Sequence, residues 1–140
     1  DNIEIFRKAF DAGVPFICGS ESGFSVTPYG DWHYKELEVF VDKLKMTPLE
    51  AITCATKNAA IAMRKENIIG LISPGYKADL LVIDGDPSKD VSILGKKELI
   101  KHVILDGKEI DLTPAPERIK DPDGWRISSY SGKILKKKKS

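Results

Sequence analysis

Gly70-Leu71-Ile72-Ser73-Pro74-Gly75-Tyr76-Lys77-Ala78-Asp79-Leu80-Leu81-Val82-Ile83-Asp84-Gly85-Asp86-Pro87 is the stretch on which the fold turns. Ile68 to Ile72 and Ala78 to Asp84 are short β-prone runs. The Ser73-Pro74-Gly75 between them is a turn, because proline presets φ and glycine admits the left-handed region. Downstream, His102 to Leu105 and Lys108 to Ile110 flank Asp106-Gly107, a dipeptide suited to a type I′ hairpin, where both central residues need positive φ. Residues 67–112 therefore read as a small β module. From Thr113 to Ser140 proline, aspartate, serine and lysine dominate, and the spacing predicts an extended or mobile tail.

Upstream, residues 1–66 are mostly helical. Ile3, Phe6 and Phe10 recur at three- and four-residue spacing, which predicts an amphipathic helix over 2–12, capped by Asn2 and ended by Gly13. Val14-Pro15-Phe16-Ile17-Cys18 is a short apolar run bounded by Gly19, the pattern of a buried parallel strand. Helix, glycine, strand is half of a repeating α/β unit. A second helix is expected over 31–45, with Leu37, Phe40, Val41 and Leu44 on one face. A third starts at the capping box Thr47-Pro48-Leu49-Glu50 and runs to about Arg64.

A chain of 140 residues suffices for one sizeable core, and 41% apolar with 31% charged residues is ordinary for a globular protein. The formal net charge of +1 argues for no acidic partner. Lys136 to Lys139 form a local basic run without an aromatic ladder, so neither nucleic acid nor membrane is an expected partner. No apolar run approaches the ~18 residues of a membrane span. Cys18 and Cys54 fit no metal-site spacing or disulfide framework and read as buried free thiols in a cytoplasmic protein. The sequence opens on a helix without methionine, as a fragment or a processed chain would.

Four stretches, in order, resemble the C-terminal portion of an amidohydrolase-superfamily enzyme in the imidazolonepropionase and prolidase-like branch. Ala12 to Phe16 leading into Gly19-Ser20-Glu21-Ser22-Gly23 is similar to the eighth barrel strand, which in the family commonly ends Gly-Thr-Asp or Gly-Ser-Asp. Glu36-Leu37-Glu38, Met46 to Ile52 and Ala55 to Ala60 resemble the last barrel helices. Gly70 to Pro87 resembles the return into the family's small β-sandwich, and Val103 to Ile110 its closing hairpin. The resemblance spans about residues 3 to 112. It implies an α/β fold: the C-terminal fragment of a metal-dependent β/α (TIM) barrel, plus part of a small β-sandwich.

The resemblance also implies a chemistry, the hydrolysis of non-peptide or small-peptide C–N bonds with a divalent metal, most commonly zinc, at the barrel mouth. Such a metal lowers the pKa of a bound water and polarises the scissile carbonyl. The family's strand-eight aspartate corresponds to Glu21, to which the resemblance gives the roles of metal ligand and proton-transferring catalytic residue; its other open role is that of a polar loop residue. Glutamate is one methylene longer, so the family's ligand geometry does not carry over unchanged. Ser22, Tyr29, Trp32 and His33 lie beside this rim as candidate substrate-binding residues. A second role is open to each aromatic, packing the loop against the barrel, and to His33, a local hydrogen bond. His102 and Asp79 are expected to be structural, Asp79 by fixing a turn through backbone hydrogen bonds.

The family's His-x-His pair, its bridging lysine or glutamate and its later histidines have no counterpart, since His33 and His102 are the two histidines. One carboxylate cannot build a zinc site of three or more protein ligands. The chain alone is accordingly expected to hold no metal and to be inactive. Its expected partner is the N-terminal barrel portion or a second copy of itself. A different class of reading is a non-catalytic, self-associating module in which swapping covers exposed edges.

Overall fold

A computed structural model describes residues 2–23 and 32–113. Tyr29, and all of the expected tail beyond Thr113, lie outside the described residues. The first half is helical: α1 covers Asn2–Asp11, α2 Lys35–Leu44, α3 Pro48–Thr53 and α4 Ala59–Ala62, the last two joined by a π turn over Cys54–Asn58. The second half carries three strands, β1 Leu80–Ile83, β2 Ile100–Leu105 and β3 Lys108–Glu109, with 3₁₀ turns at Val91–Gly95 and Lys97–Leu99.

The helix boundaries follow from local chemistry. Lys45 at φ 59° closes α2 in the left-handed region, and its N–H donates to the Phe40 carbonyl. The turn drops Met46 into the core at 2% exposure. Thr47 then opens α3 with the expected capping box. Its Oγ1 accepts the Glu50 N–H, and Glu50 Oε2 accepts the Thr47 N–H at 2.7 Å. The Thr47 N–H, followed by its hydroxyl, holds the Glu50 carboxyl below its ordinary pKa.

The single helix expected over 47–64 is instead interrupted by the π turn. Thr53 Oγ1 donates to Leu49 O at 2.7 Å and Thr56 Oγ1 to Ile52 O at 2.8 Å, in and beside the turn where the ladder shifts. Leu37, Phe40 and Leu44 of α2 pack on Met46, Ala51 and Cys54, and Val91 joins them from the second half.

Two expected strands are absent. Val14 to Cys18 is extended, but it has no ladder partner among the described residues. Ile68 to Ile72 forms turns rather than a strand. Gly70, at φ 90°, turns the chain hard against the preceding helix, and a Cβ there would sit 2.7 Å from Ala60 Cβ and 2.9 Å from Thr56 O.

The remaining β expectations hold. β1, β2 and β3 form an antiparallel sheet in that order, with Leu80 opposite Ile104, Val82 opposite His102, and a register shift between Val82 and Ile83. Asp106 (φ 51°) and Gly107 (φ 76°) supply the two positive-φ residues of the tight turn. Asp79 has the structural role assigned to it, since its Oδ1 accepts the Asp106 N–H at 2.7 Å. His102 Nδ1 meets Glu109 Oε1 across the hairpin at 2.6 Å, a local contact.

Gly70→Ala combines positive-φ strain with a clash against helix backbone. It is expected to destabilise the chain by about 2–4 kcal/mol, read as a shift in urea midpoint at constant m-value. A change within about 0.5 kcal/mol would show that the turn is not held against the helix.

Candidate functional site

Gly13 (φ 82°) ends α1, and the chain then runs extended to the Gly19-Ser20-Glu21-Ser22 end. Exposure alternates along it. Phe16, Cys18 and Ser20 are half-buried against the helices, whereas Pro15, Ile17, Gly19 and Glu21 are exposed. A period of two is the signature of a strand with one face covered and one face open. Ile17, at 48% exposure, is an aliphatic side chain on the open face.

The covered face is fixed by aromatic and polar contacts. The Phe16 ring stands edge-on to Phe6 (6.4 Å), Phe10 (6.1 Å) and Phe40 (6.1 Å). Asn58, at the end of the π turn, donates from Nδ2 to the Phe16 carbonyl at 2.9 Å. The Gly19 N–H donates to Glu36 Oε2 on α2 at 2.7 Å. Beyond that bond Glu21 adopts φ 47°, a left-handed conformation uncommon for a non-glycine residue.

Two of the candidate substrate-binding residues are brought together. Ser20 Oγ lies 2.8 Å from Ser22 Oγ and 3.2 Å from His33 Nδ1, so one hydroxyl links Ser22 to His33. His33 thus makes the local bond that was one of its two open roles. Trp32 is 36% exposed beside it. Tyr29 lies outside the described residues. Three residues of the arrangement were not singled out as site residues from the sequence: Ser20, Glu36 and Asn58. Each sits in a stretch that carries the family resemblance, but contacts across 17 residues for Glu36 and 42 for Asn58 leave no mark in local spacing.

Burial raises the Glu36 carboxyl above its ordinary pKa, partly offset by the Gly19 N–H. Burial, then the negative charge of Glu36 and the Cys54 thiol, push Cys18 up to about 12. At neutral pH Cys18 is therefore a protonated packing group rather than a nucleophile. Among the described residues, one shallow cleft runs between Phe16 and Asn58 and two others lie farther off, and none of these three is lined by Glu21, Ser22, Trp32 or His33. No group of three or more histidine, cysteine, aspartate or glutamate side chains with metal-holding geometry occurs among the described residues. These residues alone do not fit a divalent metal. No helix among them is long and apolar enough to cross a membrane.

The amidohydrolase family profile matches residues 1–110. The chain belongs to that family. It is 30% identical over 108 residues to the ochratoxinase of Aspergillus niger, covering 76% of this chain and 22% of that enzyme. It is 32% identical over 105 residues to the imidazolonepropionase of Flavobacterium johnsoniae, covering 74% of this chain and 25% of the relative. The crystal structure of a Xaa-Pro dipeptidase with methionine in its active site superposes with a TM-score of 0.69 at 33% identity, over 78% of this chain and 25% of that one. This amidohydrolase chain spans about a quarter of the length of the relatives it matches.

Proposed function

We propose that this chain supplies the closing strand, terminal helices and part of the β-sandwich of a metal-dependent β/α-barrel amidohydrolase that cleaves non-peptide or small-peptide C–N bonds. The observation that carries this reading is an extended segment fixed along one face by helices and open along the other. It ends in a left-handed carboxylate residue, Glu21, which this reading assigns to the rim where barrel enzymes collect their chemistry. The open face of Ile17 is where a barrel interior would continue. β1 to β3 supply one sheet of a sandwich.

In the complete site a divalent metal, zinc in the first instance, would supply polarisation of the scissile carbonyl. Most of its ligands would come from the N-terminal barrel portion, and Glu21 would be this chain's contribution. Glu21 also handles the proton: its carboxylate takes one from the attacking water and returns it to the departing nitrogen. Ser22, Tyr29, Trp32 and His33 line the approach to substrate. Ser22 and His33 act through Ser20, whose hydroxyl orients both. The sequence of events uses hydrolysis alone, and the substrate is a small amide.

In the intact enzyme Glu21→Gln is expected to lower turnover by about 10²–10⁴-fold with an unchanged melting temperature. Glu21→Asp is milder, because it keeps the carboxylate and shortens its reach. Near wild-type turnover in Glu21→Gln would make the carboxylate a bystander.

A second reading is a non-catalytic module that associates with another copy of itself. It is favoured by the exposed Val14 and Ile17 and by the unladdered backbone between them. On its own, the chain is expected to run in light scattering as a dimer at micromolar concentration. A monomer across that range counts against self-association and leaves the N-terminal barrel portion as the partner.

A further inference from the structure

We propose that Glu36 is a positioning residue: from α2 its carboxylate grips the Gly19 N–H and fixes how far the Ser20–Glu21 rim projects beyond the helix layer. This rests on the reading of Glu21 as the rim carboxylate. The segment from Val14 to Ser20 has no ladder among the described residues, so side chains on the helices hold its backbone. Asn58 takes the Phe16 carbonyl at 2.9 Å and Glu36 takes the Gly19 N–H at 2.7 Å. Two residues lie between the Phe16 carbonyl and the Gly19 N–H, so at about 3.3 Å per extended residue the two bonds are about 8 Å apart, and Glu21 stands two residues beyond the second.

Asn58 therefore fixes the body of the segment, and Glu36 fixes its tip. Glu36 is well placed for this. It adjoins Leu37, 5% exposed, on a helix whose Phe40 and Leu44 are also buried, so its own backbone has little freedom. A carboxylate accepting a backbone N–H is among the stronger hydrogen bonds. Beyond Gly19 the chain enters a left-handed residue, a conformation that persists only where its surroundings hold it. The competing role for Glu36 is as an acidic residue in the first turn of α2, stabilising the helix through its dipole. That role would act on α2 and leave Gly19 untouched.

Amide hydrogen exchange and residual dipolar couplings of the ¹⁵N-labelled chain separate the two. Glu36→Ala is expected to speed exchange at Gly19 by about tenfold or more and to change the Glu21 N–H coupling, with Phe40 and Leu44 amides within about twofold of wild type. Glu36→Gln keeps an acceptor oxygen at the same reach, so it restores both Gly19 protection and the Glu21 coupling. Glu21→Gln leaves Gly19 protected. Unchanged exchange at Gly19 in Glu36→Ala overturns the proposal, as does acceleration confined to the first turn of α2. If Glu36→Ala releases Gly19 while Glu21→Gln costs no turnover, Glu36 still positions the rim and it is the role of Glu21 that falls.

Discussion

Phe16 joins elements that would otherwise have little to say to one another. Its ring meets Phe6 and Phe10 of α1 on one side and Phe40 of α2 on the other, each edge-on, and its carbonyl receives Asn58 from the end of the π turn. Such aromatic pairs contribute about 0.5–1.5 kcal/mol each beyond the area they bury. α1 has no buried residue of its own, and Phe6 remains 54% exposed, so these rings are its principal tie to the core. Because Phe16 lies in the extended segment, the same contacts hold that segment flat against the helices. Everything at the rim, five residues further on, inherits its position from there.

Much of this is legible in the sequence. The 3.6-residue periodicity placed α1 and α2, and the Thr47-Pro48-Leu49-Glu50 box marked the start of α3 to the residue. Asp106-Gly107 forecast a turn in which both residues take positive φ. These signals are local, and a local signal survives whatever the rest of the chain does.

The failures share a cause. Val14 to Cys18 has the composition and alternation of a strand, but a strand is defined by its neighbours, and none pairs with it among the described residues. Ile68 to Ile72 is β-prone, yet the close approach of Gly70 to Thr56 and Ala60 bends it into turns. The π turn at Cys54–Asn58 and the 3₁₀ turn at Val91–Gly95 left too short a pattern to be read, although Asp90 caps the latter by accepting the Ser92 N–H. At the site, Glu21, Ser22, Trp32 and His33 came from a resemblance at the rim. Glu36 and Asn58 came only from the structure, because each acts on backbone distant in sequence.

In the proposed reading the arrangement is a prepared edge rather than a finished centre. It consists of one carboxylate, a Ser20-linked pair of Ser22 and His33, and an open aliphatic face, and the family match covers about a quarter of its relatives' length. The central claim of the proposed function is that a metal centre would be built mainly by residues beyond those matched in this chain. Equilibrium dialysis of the purified 140-residue chain against zinc tests it most directly. The account predicts binding no tighter than that of unrelated surface carboxylates, and unaltered by Glu21→Gln. One tightly held zinc per chain, lost on Glu21→Gln, would contradict it.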